Sequence, residues 1–582
     1  MPRNVPVLVL ACLSVLAASC GEARDEDPPA GDATESPMLE AAVSDPVAEL
    51  HDGWGEAGNL GDGGGEGSPF PDRDAVIELP DGGEEAAEPE LCGTLEPASI
   101  RIETGFASIV SRNFGFHGDK AEDPSRSPLR LFEDGVELGP AHAALDAIRT
   151  AGGGAFSHWG NALYFSASDN TDPATNGRTY AFSGPCWHPV PIEPVFLATS
   201  TTNYSTFQSH NQKVVENAHG IFLSYITSYS PSNWHLVRST DGGATFQPVC
   251  ESTYYTKAPA IETDEAGSIY MIHAENDESS NHPAYFYRFD PPSFPISASS
   301  QIQNGSAGKF TTYFDRCRNQ IFFFTFWDSP TKNFFALDLN GNVLYSHSLT
   351  QPGSNARIQY PHLATDGCNL YAAWTTQQHG SGTPLYRSIQ FMRSGDGGHN
   401  WQTAGGSNLP LPVVADDTGP TTMITLNDEF YVNTWLSNMH IDASGIHFMY
   451  YAASPTDRQH YVRYTKSGTC DINIYPDWEA GESSIASLDG FFVSRPDGIL
   501  FATARTQDGR LAVFMSDDGG RTWLDYALSD PLEEGYFHYS IGGSREIGPS
   551  GRILGTYTKQ STTGNPHEVW FFAVDANQWT PP

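Results

Sequence analysis

The chain has 582 residues, enough for a large core and for more than one structural unit. Its 70 acidic residues against 31 Lys and Arg leave a formal charge of −39, which excludes a nucleic-acid binder built on a basic stripe and a protein that lies on anionic lipid. The 56 Gly and 41 Pro, among plentiful aromatics, point to a turn-rich, all-β chain.

Residues 1–20 read as a targeting segment: Arg3 supplies the positive start, and Val5–Ala18 is an apolar run too short for a membrane span. The small residues before Cys20 resemble a bacterial lipobox, which implies cleavage there and lipid on the Cys20 thiol. The address is then the cell envelope, at the surface or periplasmic face, with plain secretion as the alternative. Residues 21–91 are rich in Gly, Pro, Asp and Glu, with only Arg24 and Arg73 as cations. Such a stretch cannot bury enough apolar surface to order itself and reads as a disordered acidic linker.

Residues 92–190 form a small mixed module. LRLFEDGVEL is a hairpin around Asp134–Gly135, AHAALDAIR is helix-like, and the FSHWG and LYFSASDN runs return to strands. Asp169, Asn170, Asp172 and Asn176 are oxygen-rich, but their spacing misses the EF-hand pattern and reads as turns. With no C-x-x-C and no H-E-x-x-H, no metal and no cofactor are expected. Six cysteines remain after Cys12 and Cys20. Cys317 and Cys368 occupy matching turns of successive repeats and are the favoured disulfide.

From residue 191 to 582 a turn followed by an apolar strand recurs every ~50 to 60 residues. The copies are AHGIFLSYIT, EAGSIYMIHA, CRNQIFFFTFW, GCNLYAAWTT, NDEFYVNTWL, PDGILFATAR and PSGRILGTYT. Hairpins follow near Asp241, Asp290, Asn340, Asp396, Pro455, Asp518 and Asp575. Counted this way the ring is a seven-bladed β-propeller, with closure by a strand near Ile192–Thr199. Three hairpins share one pattern: STDGGATF at Ser239–Phe246, SGDGGHNW at Ser394–Trp401 and SDDGGRTW at Ser516–Trp523. The Asp carboxylate can accept N–H bonds inside its own turn, and the glycines supply positive φ.

These three hairpins resemble the Asp-box, or bacterial neuraminidase repeat, of sialidase-like β-propellers. The resemblance implies that Asp241, Asp396 and Asp518 are structural. Sialidases proper have six blades, so six is the alternative count. It also implies a Tyr nucleophile with a Glu partner and an arginine cluster on the substrate carboxylate. Tyr539 in GYFHYSIG, Glu275 in HAEND, and Arg357, Arg505 and Arg545 near inferred strand ends are the candidates, while the family's F-R-I-P segment is absent. The loops of the opposite rim are rich in Asn, Ser, Thr and Gln. They carry Trp327, Trp374 and Trp435, with Asp277, Asp328 and Asp442 as loop acids. A polar rim with aromatic platforms suits sugars. The expected function is therefore an exported or surface-anchored monomer whose rim binds a glycan or a protein, with sialidase-type hydrolysis as the alternative.

Overall fold

The computed structural model describes residues 91–579, except 113, 122, 161, 186, 209, 230–231, 254–256, 275–282, 304–308, 327–331, 379–385, 426–432, 453–457, 467–473, 480–484, 507, 521 and 565. The signal with Cys20, the linker up to residue 90, Glu275, Asp277, Trp327, Asp328, Cys186 and Cys470 lie outside the described residues.

Apolar runs separated by tight turns fold into seven successive antiparallel sheets. Sheet 1 holds Val214–Asn217, Gly220–Tyr229, Ser232–Ser239 and Gln247–Thr253. Sheet 2 holds Ala260–Thr263, Ile269–Ala274, Ala284–Phe289 and Ile296–Gln303. Sheet 3 holds Phe310–Asp315, Gln320–Thr325, Phe334–Leu337 and Val343–His347. Sheet 4 begins with Ala356–Thr365, Leu370–Gln378 and Tyr386–Ser394 and ends in short strands. Sheet 5 holds Thr434–Ile441, Gly445–Ala452, Arg458–Lys466 and Ile474–Glu479. Sheet 6 holds Ile485–Ser494, Leu500–Thr506, Leu511–Ser516 and Leu524–Ser529. Sheet 7 holds Tyr536–Gly543, Arg552–Ser561 and His567–Asp575.

The fourth strand of sheet 7 comes from the other side of the chain: Val195–Ser200 pairs antiparallel with His567–Asp575. Just before it, Val190–Ile192 adds a parallel fifth strand to sheet 6. One short segment thus ties the last two sheets together, which removes a free edge and fixes the order of the array.

The sheets stack face to face in sequence order. The first strand of each contacts the first strand of the next, and the first strand of sheet 1 contacts the second strand of sheet 7. Each gap holds its own apolar cluster. Phe222, Trp234 and Leu236 meet Ile261 and Met271 between sheets 1 and 2, and Val214 and Leu223 meet Leu554 and Phe571 between sheets 1 and 7. Because both faces of a middle strand are covered, strands such as Gln320–Thr325 (QIFFFT) carry an unbroken apolar run without alternation. This is a β-propeller-like fold.

The fifth turn–strand copy is displaced from its expected place. The NDEFYVNTWL run leads into the first strand of sheet 5, and the true turn is Asp442–Gly445, where Asp442 Oδ1 accepts the N–H groups of Ser444 and Gly445. Pro455, expected in the outer hairpin, lies outside the described residues. The Cys317–Cys368 bridge is not formed: Cys317 is a free, exposed thiol. Its sulfur faces Gly367, where a Cβ would lie only 2.8 Å away, and Arg318 Nη2 donates to the Cys368 carbonyl at 2.5 Å.

The 92–190 segment contains two four-stranded sheets around one core of Leu131, Phe156, Leu163, Phe165 and Phe182. Asp134 and Gly135 turn the expected hairpin with positive φ. The helix is shorter than AHAALDAIR, running Leu145–Thr150, because the chain bends at His142, which has φ of 55° and whose Nδ1 is 2.9 Å from a buried Asp119 oxygen. The Asp169–Asn176 loop closes on itself. Asp169 accepts from Thr171 and Arg178, and Asp172 accepts from Ala174 and Thr175.

Candidate functional site: the loop end of the sheets

The two ends of the sheets differ. One end carries the tight turns that join first to second and third to fourth strands. The other carries the connections from second to third strands and from one sheet to the next.

At the turn end the three repeated hairpins share one circuit. Ser239 Oγ donates to Asp241 Oδ1 at 2.7 Å and accepts from Gly243 N at 2.8 Å; Thr245 donates to both Asp241 oxygens, at 2.9 and 2.6 Å. Ser394, Asp396, Gly398 and Asn400 repeat it, as do Ser516, Asp518, Gly520 and Thr522. Hydrogen bonds from Thr245 lead in holding the Asp241 carboxyl down at about 2.

The preceding sheet grips each of these hairpins. Arg552 of sheet 7 donates to Gly242 O at 2.8 Å, Tyr345 of sheet 3 to Gly397 O at 2.5 Å, and Arg463 of sheet 5 to Gly519 O at 2.9 Å. The second glycine has no room for a side chain. A Cβ would sit 2.4 Å from Phe571 at Gly243, 2.6 Å from Phe334 at Gly398 and 2.1 Å from the Tyr461 hydroxyl at Gly520. The hairpins are therefore clasps between neighbouring sheets. The sheet 6 clasp alone has an acid, Asp517, before its Asp. It also holds the 92–190 segment: Arg126 Nη2 reaches Asp517 Oδ1 at 2.6 Å, and His117 Nδ1 lies 2.8 Å from Thr522 Oγ1.

The loop end is built differently. In sheets 4 to 7 the first strand breaks register in its loop-end half, at Gln359/His362, Leu436/Asn438, Ile485/Gly490 and Tyr539/Gly542. Such bulges bend a strand and re-aim its side chains. Tyr360 and Ser540 take positive φ there, of 49° and 51°, a conformation that L-residues adopt at a cost.

The consequence is a continuous row of half-buried aromatic rings. Phe537 meets Tyr539 at 6.3 Å, and Tyr539 stacks on Phe207 at 6.4 Å. Phe207 meets Tyr360 at 6.3 Å, Tyr360 meets Tyr386 at 5.8 Å, Tyr386 meets Trp435 at 5.5 Å, and Trp435 meets Tyr451 at 6.0 Å. Cations stand over these and neighbouring rings: Lys257 over Phe207 at 4.9 Å, Lys309 over Tyr360 at 4.6 Å, Arg357 over Phe326 at 5.2 Å and Arg505 over Phe537 at 5.5 Å. Burial lowers Arg505, against the opposing pull of Asp489 and Tyr451.

Residues 204–208 and 210–213, between the closing strand and sheet 1, reach several sheets and floor this mouth. Thr206 Oγ1 donates to Ser540 O of sheet 7 at 3.0 Å, Asn211 Nδ2 to Phe310 O of sheet 3 at 2.8 Å, and Gln212 Nε2 to Ile261 O of sheet 2 at 3.1 Å. His210 lies 4.2 Å, ring to ring, from His362 of sheet 4. Burial holds His210 well below its ordinary value and pushes His362 down to about 4. Beside the floor, Arg545 pairs with Glu262 and donates to Thr312 O at 2.7 Å.

The expected site residues thus separate. Tyr539 and Trp435 belong to the aromatic row, and Arg357 and Arg505 stand near it. Arg545 is engaged instead with Glu262 and the Tyr313 ring. Trp374 is fully buried between sheets 3 and 4 and cannot serve the rim. Asp442 caps the sheet 5 turn and touches His447 Nε2 at 3.0 Å. Sequence reading missed Phe207, Lys257, Lys309, Tyr360 and Tyr386. The NYSTFQSHNQK run around Phe207 belongs to no repeat, and that break in the pattern is its only signal.

No protein-family model and no curated protein matches the chain. Solved structures do. One is an ulvan lyase of polysaccharide lyase family PL25 bound to -[GlcA(1-4)Rha3S]-, with a TM-score of 0.50 and 13% identity over 66% of this chain and 96% of that one. The same lyase without that ligand matches equally. The polysaccharide lyase Uly1 is similar at a TM-score of 0.41 and 8% identity, over 64% of this chain and 91% of that one. The likeness is one of fold.

Proposed function

We propose that this is a carbohydrate-active protein on a seven-bladed propeller whose loop end binds an acidic polysaccharide. The observation that carries the reading is the row of rings from Phe537 to Tyr451 with four cations set over it and its neighbours. Aromatic faces stack on sugar rings, and Lys and Arg pair with carboxylate or sulfate groups. A lyase of similar fold has been solved with a glucuronate- and sulfate-bearing sugar, which supports the same class of ligand. The sialidase alternative asks Arg357, Arg505 and Arg545 to share one carboxylate. The engagement of Arg545 with Glu262 weighs against it. Export with lipid on Cys20 completes the proposal, and a Cys20→Ala chain should leave the membrane fraction.

The test is a panel of ulvan, polygalacturonate, chondroitin sulfate and neutral glucans against the purified chain, with ultraviolet absorbance of unsaturated uronate recorded alongside. Binding confined to the acidic members supports the proposal, and absorbance growth would add eliminative cleavage to it. Binding of neutral glucans alone, or of none, would reject it.

A further inference from the structure

Lys213 is completely buried. Its Nζ donates to Gln208 O at 2.8 Å and to Asn211 O at 3.2 Å. Both acceptors belong to the segment that floors the mouth. Burying an ammonium-bearing chain costs free energy that an apolar residue of similar length avoids. Two carbonyls of one short bend are what this site returns for it. Burial, with the Arg545 charge adding to it, holds the amine well below its ordinary value.

The bend is where the mouth acquires its centre. Phe207 precedes it and joins the aromatic row through Tyr539 and Tyr360. Gln208 is buried, and its Oε1 meets Phe310 N and Asn211 Nδ2 at 3.4 Å. His210 and Asn211 both reach the Phe310 carbonyl. Gln208 O also accepts from Asn211 N at 3.1 Å, so one carbonyl closes the bend from two sides.

We propose that Lys213 is a positioning residue: it touches no ligand, but it ties Gln208 and Asn211 into the bend that presents Phe207 to the loop-end mouth. The functional half rests on the acidic-glycan reading above; the conformational half does not.

The experiment compares wild type with Lys213→Met, and with Lys213→Gln, whose amide can still donate, in the full chain. Three readouts are taken: melting temperature, hydrogen exchange of peptides covering 204–213, and affinity for ulvan oligosaccharides alone and in a double-mutant cycle with Phe207→Ala. Expected for Lys213→Met are a melting temperature near wild type, faster exchange confined to 204–213, and an affinity loss of about tenfold that is non-additive with Phe207→Ala. Lys213→Gln should fall between. Unchanged exchange in 204–213 would overturn the proposal even if the protein binds no glycan. Changed exchange with unchanged ulvan affinity would overturn its functional half. Failure of both variants to fold would also overturn it, because Lys213 would then be a residue of global stability.

Discussion

At the residue scale the paired glycines of the repeated hairpins make the sharpest demand. Gly243, Gly398 and Gly520 combine φ near 90° with a neighbour's ring where a Cβ would stand. An unstrained Gly→Ala exchange would stabilise slightly, but alanine at any of these three should destabilise by about 1–3 kcal/mol, because positive-φ strain and overlap add. Thermal melts of the three single variants check this, and unchanged midpoints would contradict the clasp reading. Trp374 and Trp435 make a second contrast. Both end polar-flanked runs in the sequence, yet only Trp435 is part of the open row. Trp374→Ala should cost about 3–5 kcal/mol of stability, whereas Trp435→Ala should weaken acidic-glycan binding with little change in melting. Calorimetry and melting on the same two variants separate the effects. Titration offers a third check. Burial pushes His362 and His538 down to about 4, so their contribution to stability is complete above the ordinary imidazole value and is lost as pH falls toward 4. The melting temperature should decline across that window, with a smaller decline in His538→Gln.

At the scale of elements, the closing segment Val190–Ser200 adds a strand to sheet 6 and completes sheet 7. A Pro at Ala198, which pairs with Val569, should loosen both sheets; hydrogen exchange should rise in His567–Asp575 before it rises in sheet 3. The reverse order would contradict a closure of this kind. Much of this arrangement was legible in the chain. Six of the seven turn–strand copies are second strands, because a middle strand covered on both faces must be an apolar run and its turn must be tight. The fifth copy misled because sheet 5 opens with an apolar strand, Thr434–Ile441, after an NDEF run that mimics a turn. Site residues were less legible for a related reason. Phe207, Tyr360 and Tyr386 are brought together by register breaks and by a segment outside the repeat, and neither leaves a period in the sequence. Lys257 and Lys309 stand in connections between sheets, where a lone Lys looks like any solvated charge.

For the whole molecule, the large negative charge and the cation-bearing mouth act in opposite directions on an acidic ligand. A polyanion would be repelled by the body and drawn to one end, so binding should be oriented with that end toward the ligand. The 92–190 segment is fastened at the other end, by Arg126 and His117 on the sheet 6 clasp and by Trp187 stacked on Tyr526 at 5.3 Å. It therefore leaves the loop end unobstructed by those contacts. The most direct test of the central claim is affinity electrophoresis of the full chain through gels containing ulvan or a neutral glucan, for wild type, Trp435→Ala and Lys309→Ala. Wild type should be retarded in ulvan only, and both variants should be retarded less. Equal retardation of all three proteins, or retardation in the neutral glucan instead, would contradict it.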